Sequence, residues 1–152
     1  MRASGFRIRL GTIALVLYIA VVALATLTPN PIDRPYRHYI DKVLAELHER
    51  GLPAWFGYGD VEFLSNVAIF VPIGFLAALL VSRRAWWVLM FLGPVLSGAI
   101  EFAQLNLLPE RYSDVRDVVA NSIGTILGAI LGLALRMLVA HRDRLVAHDI
   151  SR

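Results

Sequence analysis

Polar residues interrupt three long apolar stretches of this 152-residue sequence. Asn66 lies near the start of one stretch, and Glu101 and Gln104 lie near the end of the next. Asp117 and Asn121 open the last stretch. An ionised side chain at the centre of a membrane helix costs about 2.5 to 3.5 kcal/mol on insertion scales, so such a group requires a partner or a function. Carboxylates at these positions can bind a cationic group or transfer a proton.

A purely structural use of the same residues is also consistent with the sequence. Asn66 and Gln104 can hydrogen-bond across helices, and Glu101 can pair with Arg111 or Arg116. The polar groups would then satisfy one another and leave no pocket.

Signals for a metal, a cofactor or nucleic acid are missing from the sequence. The histidines are His38, His48, His141 and His148, and they show no HExxH or paired-carboxylate spacing. No Walker loop, GxGxxG or GxSxG motif occurs. In a membrane protein, a net charge of +3 and a pI of about 9.7 are typical of arginines that hold loops on the cytoplasmic side. We therefore predict no metal site, no cofactor and no nucleic-acid partner.

The composition places these polar residues in a membrane protein. Hydrophobic residues make up 57% of the chain and the mean hydropathy is +0.62, whereas soluble domains are about 45–50% apolar. Each of four apolar segments, residues 10–27, 63–81, 85–108 and 118–139, is long enough to span a bilayer as a helix. We predict one all-α domain, residues 1–152, which is a polytopic membrane protein with a bundle of four transmembrane helices.

The first apolar segment has two interpretations. It follows Arg2, Arg7 and Arg9, and the Ala-Leu-Ala sequence of residues 23–25 resembles a signal-peptidase site. Its apolar run is longer than the usual core of a signal peptide, which favours a retained anchor. The mass of the intact protein distinguishes the two.

The loop of residues 28–62 contains a predicted amphipathic helix. Ile40, Val43, Leu44 and Leu47 recur at helical spacing, and Gly51 ends the pattern. We expect this short helix to lie on the outer membrane surface and to cover part of the bundle. The alternative is an ordinary helix that packs on its own loop.

The distribution of basic residues predicts the orientation of the chain. Most of them lie at the N-terminus, in the short turn at residues 82–84 and in the tail of residues 140–152. The positive-inside rule therefore predicts cytoplasmic N- and C-termini and an extracytoplasmic loop 28–62. Because alternate helices run in opposite directions, the polar residues of three helices should lie at a similar depth below the outer surface.

The last apolar segment carries a stripe of polar and small residues. On a helical projection the stripe falls within an arc of roughly 80°, and its members are Asp114, Asp117, Asn121, Gly124, Gly128 and Gly132. Asp114 can cap the N-terminus of this helix. The glycines at four-residue spacing allow another helix to approach closely, either within the bundle or in a partner protein.

Three motifs in this order resemble the VanZ-like membrane proteins. The first runs from Asn66 to Phe75 (NVAIFVPIGF), and the second is Glu101 to Gln104 (EFAQ). The third runs from Arg111 through Asp114, Asp117 and Asn121 to Gly124 and Gly128. The resemblance covers roughly residues 33–138. It implies a bacterial, multi-pass protein of the cytoplasmic membrane, in a family whose namesake is associated with resistance to the glycopeptide antibiotic teicoplanin.

The resemblance leads to three hypotheses of function. The first is a cell-envelope protein whose outward-facing pocket binds a lipid-linked or peptidoglycan-related ligand and affects glycopeptide susceptibility; its ligand-binding candidates are Asn66, Gln104, Arg111, Asp114 and Asn121. The second is a membrane enzyme acting on an envelope lipid or precursor, with Glu101 and Asp117 as catalytic acid/base candidates and Arg111 as an anion holder. The third is an assembly subunit that binds a partner helix through Gly124, Gly128 and Gly132.

Overall fold

The computed structural model describes residues 2–27, 34–82, 84–107 and 114–150. Five α-helices follow one another: α1 (Arg2–Thr26), α2 (Arg37–Glu49), α3 (Tyr58–Leu80), α4 (Leu89–Leu107) and α5 (Val115–Ile150). Short 3-10 turns, Arg34–Tyr36 and Trp86–Val88, precede α2 and α4. These described ranges contain no strand, so the predicted all-α class is confirmed.

Four of the helices are long and apolar enough to cross a membrane. The spans are Gly5–Thr26, Tyr58–Leu80, Trp86–Leu107 and Val115–Asp149, and they confirm the predicted polytopic arrangement. Large apolar side chains such as Phe102 are exposed on the surface of the bundle. Such exposure is expected of helix faces that are turned toward lipid rather than water.

Three helices extend beyond the predicted spans, and the first of them, α1, already begins at Arg2. α3 begins at Tyr58, because the Asp60 carboxylate accepts a 2.9 Å hydrogen bond from the Gly57 amide and its charge favours a helix N-terminus. α5 continues to Ile150, so the part of the predicted tail up to this residue is helical. Hydropathy locates the end of the apolar residues, but no glycine or proline follows residue 139 to stop the helix itself.

The tightest packing in the bundle joins α3 and α5. A Cβ atom at Gly124 would meet the carbonyl oxygen of Val67, and one at Gly128 would meet that of Val71. Because the contacts advance in the same sense along both helices, α3 and α5 are parallel. Gly132 lies on the same face of α5 and also contacts α3. The predicted close approach at these glycines therefore occurs within the chain.

α4 packs on another face of α5. A Cβ atom at Gly93 would come within 2.8 Å of Ser122 Cα and 2.9 Å of Thr125 Oγ1, so α4 also approaches closely. Thr125 is fully buried, and its hydroxyl donates a 2.9 Å hydrogen bond to the Asn121 carbonyl oxygen one turn earlier. Helices α3, α4 and α5 thus form a compact core.

α1 lies at the edge of this core and packs mainly on α3. The Tyr18 hydroxyl donates a 3.0 Å hydrogen bond to the carbonyl oxygen of Ile69. Pro72 of α3 lacks the N–H that would bond the carbonyl oxygen of Ala68, the residue before Ile69, so the helical hydrogen bonding is interrupted beside this contact. Only 6% of the residues in the apolar window of α1 are buried, so most of its surface is left for lipid.

The two ends of the bundle differ in structure. At one end, Arg136 of α5 donates hydrogen bonds of 2.7 and 2.6 Å to the carbonyl oxygens of Ala78 and Val81, where α3 ends. Its positive charge also complements the dipole of α3. We call this the Arg136 end. The opposite end holds α2, the N-termini of α3 and α5 and the C-termini of α1 and α4, and we call it the α2 end.

The amphipathic helix predicted in the loop is confirmed as α2. Gly51 follows it with a φ of 105°, a left-handed conformation that suits glycine after a helix. His48 Nε2 lies 2.9 Å from the carbonyl oxygen of Phe56, so α2 packs on its own loop. Ile40, on another face, lines a cavity in the bundle. The helix therefore packs on its own loop and also covers part of the bundle.

Candidate functional site

A cavity of about 430 Å³ lies between the helices at the α2 end. All five helices contribute residues to its wall. Of the seven site residues that the sequence predicts, five line this cavity: Asn66, Glu101, Gln104, Asp117 and Asn121. Polar residues on three separate helices thus line the same cavity.

Three side-chain amides bind the helices of the cavity to one another. Asn66 Nδ2 donates a 2.8 Å hydrogen bond to Asp117 Oδ1, which links α3 to α5. Gln104 Nε2 donates a 2.9 Å bond to the carbonyl oxygen of Thr26, which links α4 to α1. Such bonds within a membrane are worth about 0.6 kcal/mol each on average, so they position side chains more than they stabilise the fold.

The third hydrogen bond from a side-chain amide lies deeper in the bundle. Asn121 Nδ2 donates a 2.8 Å hydrogen bond to Ser97 Oγ, which links α5 to α4. Both residues are buried, with 7% and 1% of their surfaces exposed. Each of the three amides therefore uses its NH₂ group to hold a neighbouring helix.

Two buried acceptors of the cavity have no hydrogen-bond partner. Among the residues that the structure describes, Glu101 Oε2 and Asn121 Oδ1 are the buried side-chain oxygen atoms left unsatisfied. Glu101 is only 8% exposed. A buried acceptor without a donor costs about 1–3 kcal/mol, and more when it is charged. Both atoms can therefore still accept a hydrogen bond.

The predicted pairing of Glu101 with Arg116 is wrong. Arg116 Nη2 lies 3.4 Å from Asp60 Oδ1, and its guanidinium carbon lies 5.9 Å from the ring centroid of Phe63. Arg116 is exposed near the start of α5, where a cation keeps contact with water, whereas Glu101 is buried on α4. The other predicted partner, Arg111, lies outside the described residues.

Asp114 is placed at the N-terminus of α5 and not in the cavity wall. Its Oδ1 accepts a 2.8 Å hydrogen bond from the backbone amide of Arg116, and its carbonyl oxygen accepts one of 2.9 Å from the Asp117 amide. These bonds satisfy amides that a helix start leaves without partners. The capping role predicted for Asp114 is therefore confirmed.

Several residues of the cavity wall are not among those predicted from the sequence. Glu62 and Ser65 lie on the same face of α3 as Asn66, at i, i+3 and i+4. This spacing is itself a signal that could have identified them. Tyr36 and Tyr58 also line the cavity, but they follow turns whose geometry hydropathy does not predict.

The cavity wall is acidic. Glu62, Glu101 and Asp117 contribute carboxylates, and the described wall contains no lysine, arginine or histidine. The guanidinium of Arg37 lies outside the wall, 4.6 Å from the ring centroid of Tyr58. Within the described ranges, no three His, Asp or Glu side chains are close enough to hold a metal ion.

Comparison with known proteins gives one match. The family model described as VanZ/LLP1 matches residues 15–136, which include every residue of the cavity wall. The match begins within α1, earlier than residue 33, where the range covered by the resemblance starts. Neither the curated proteins nor the solved structures contain a match to this chain.

Proposed function

Because the chain belongs to the VanZ/LLP1 family, whose match spans the whole cavity, we propose that it binds the polar group of a cell-envelope lipid at the α2 end. The supporting observation is the pair of unsatisfied acceptors, Glu101 Oε2 and Asn121 Oδ1, in a cavity of about 430 Å³. A polar ligand would supply the donors that these atoms lack.

The position of the cavity within the spans favours a ligand that is itself in the membrane. Asn66 lies eight residues into the α3 span, and Glu101 lies six residues before the end of α4. At a rise of about 1.5 Å per residue, both lie roughly 10 Å from the helix ends. A lipid-linked ligand reaches this depth from the surrounding bilayer without crossing a polar surface.

Native mass spectrometry of the purified protein tests this proposal. We expect the wild-type protein, extracted from bacterial membranes in mild detergent, to retain one envelope lipid. Glu101→Gln keeps the shape of the side chain but removes a charged acceptor, so retention should fall about tenfold. The mass of the retained lipid after incubation also shows whether the protein changes it chemically, as the enzyme hypothesis requires.

Glu49→Gln is the matched control. Glu49 is exposed on α2 and lies outside the cavity wall, so its substitution makes the same chemical change elsewhere. The control should retain as much lipid as the wild type. Equal retention by all three proteins, or no specific lipid in any of them, would contradict the proposal. Thermal unfolding shows whether Glu101→Gln remains folded.

The orientation and the effect on antibiotics belong to the same proposal. Cytoplasmic termini in a bacterial cytoplasmic membrane would place the cavity in the outer half of the bilayer, where it could alter access to envelope precursors. The charge distribution of the sequence supports this orientation. We expect expression of the wild-type protein, but not of Glu101→Gln, to change the teicoplanin susceptibility of a host without a family member of its own.

A further inference from the structure

A second, apolar hollow of about 230 Å³ lies between α1 and α4. We call it the α1–α4 groove. Its walls include Val22 and Ala23 of α1, Leu27 directly after α1, Ala99 and Ala103 of α4, and Phe70 of α3. All of its wall residues are apolar. The alanines leave the space open, because larger side chains at these positions would fill it. Ala99 on its rim is exposed, so the groove opens toward lipid.

The groove and the polar cavity adjoin each other. Phe70 of α3 and Ile100 of α4 line both spaces. The two spaces are therefore neighbours, and a ligand with its polar group beside Glu101 would reach the groove past these two side chains. The groove has room for about eight groups the size of a water molecule, which corresponds to a segment of one hydrocarbon chain.

The energetics of the bilayer decide what the groove contributes. Lipid tails are as apolar as leucine, so a chain gains little free energy by moving from the bilayer into the groove. The groove therefore supplies a path of suitable shape, and the polar cavity supplies the affinity. If the ligand had no chain, an ordinary lipid would occupy the groove. The polar group of the ligand would then not be held in position by a chain in the groove.

The wall of the cavity selects a donor-rich, positively charged group. Asn66, Gln104 and Asn121 each donate one amide hydrogen bond to a protein acceptor. Glu101 and Asn121 both line the cavity, and their Oε2 and Oδ1 atoms are buried without a donor. An ammonium group offers three donors and a positive charge, whereas a phosphate in the same place would be repelled by the carboxylates.

We infer that the ligand is an amine-bearing lipid, with its ammonium group in the polar cavity and one hydrocarbon chain in the α1–α4 groove. The inference rests on the proposed function and specifies the class of lipid. An organic cation fits better than a metal ion, because the described carboxylates do not form a group of metal ligands.

Three probes test this inference. The second and the third each lack one feature of the first. Lysophosphatidylethanolamine carries an amine and one chain, lysophosphatidylglycerol of equal chain length lacks the amine, and glycerophosphoethanolamine lacks the chain. Binding to the purified protein is measured by native mass spectrometry. We expect the first probe to bind about tenfold more tightly than the second, which is the value of one charge-assisted hydrogen bond. The third probe should bind more weakly than the first, because it lacks the chain that holds the amine beside Glu101.

Two pairs of variants assign the effects to the two spaces. Glu101→Gln should abolish the preference for the amine, whereas Glu49→Gln should keep it. Ala23→Phe fills the groove and should lower the binding of lysophosphatidylethanolamine. Ala20→Phe makes the same change on the exposed side of α1, outside the groove, and should leave binding unchanged.

The outcomes separate this inference from the proposed function. If the purified protein retains an envelope lipid but binds the two lysolipids equally, the amine is not selected and the inference fails while the proposed function stands. If glycerophosphoethanolamine binds as well as the lysolipid, or Ala23→Phe has no effect, the groove does not hold the chain. If no lipid is retained and no probe binds, the proposed function itself fails.

Discussion

Replacing Gly128 with alanine tests the packing that shapes the cavity. An added Cβ atom would meet the carbonyl oxygen of Val71 and come within 2.8 Å of the Phe75 amide nitrogen. Both atoms belong to the backbone of α3 and cannot rotate away, so the helices must separate. Overpacking costs about 1–3 kcal/mol, and a backbone contact belongs at the upper end. Alanine regains up to about 1 kcal/mol in helix propensity, so we expect a net loss of about 2 kcal/mol.

Equilibrium unfolding by SDS in mixed micelles, followed by far-UV circular dichroism, measures this loss. Gly98→Ala is the matched control, because Gly98 is exposed on α4 and an added Cβ atom there has no neighbour within 4 Å. The control should be as stable as the wild type or up to about 1 kcal/mol more stable. The free energies of unfolding of the two variants should therefore differ by about 2–3 kcal/mol.

Equal stability of the two variants would refute this reasoning. It would mean that α3 and α5 do not approach as closely at Gly128 as the structure shows. The geometry of the cavity wall would then also differ, because the hydrogen bond between Asn66 and Asp117 joins the same two helices, α3 and α5. A loss confined to Gly128→Ala supports the parallel packing of α3 and α5.

Three further predictions follow. Ser97→Ala leaves the buried Asn121 amide without its acceptor, and thermal unfolding should show a loss of about 1–3 kcal/mol. Arg136→Met keeps the apolar part of the side chain but removes two hydrogen bonds to α3, so hydrogen exchange should rise at the C-terminal end of α3. Since the sequence has no cysteine, a membrane-impermeant maleimide should label Glu49→Cys in intact cells and Asp149→Cys only after permeabilisation; the reverse pattern would overturn the orientation.

Much of the fold could be predicted because the membrane constrains it strongly. Apolar runs identify the spans, since only helices and closed barrels satisfy the backbone within lipid. The four-residue spacing of Gly124 and Gly128 predicted a close helix contact, and the structure shows that contact with α3. The shared depth of Asn66 and Glu101 followed from the alternating direction of the spans, and both residues line the cavity.

The pairing of polar groups could not be predicted in the same way. Spacing along one helix fixes which residues share a face, but it does not fix how neighbouring helices are rotated. Arg116 pairs with Asp60, not Glu101, because the exposed start of α5 lies beside the start of α3. The cavity wall also includes Tyr36, whose position depends on the turn before α2.

The position of α1 explains why the bundle has both a rigid core and an accessible groove. Glycines join α3 to α5 and α4 to α5 at backbone distance, which leaves little freedom in that core. α1 is held on α3 by Tyr18 and at its C-terminal end by the bond from Gln104 to Thr26. Between these two contacts it is separated from α4 by the α1–α4 groove. Binding that requires movement should therefore displace α1 and leave the acceptors of the core in place.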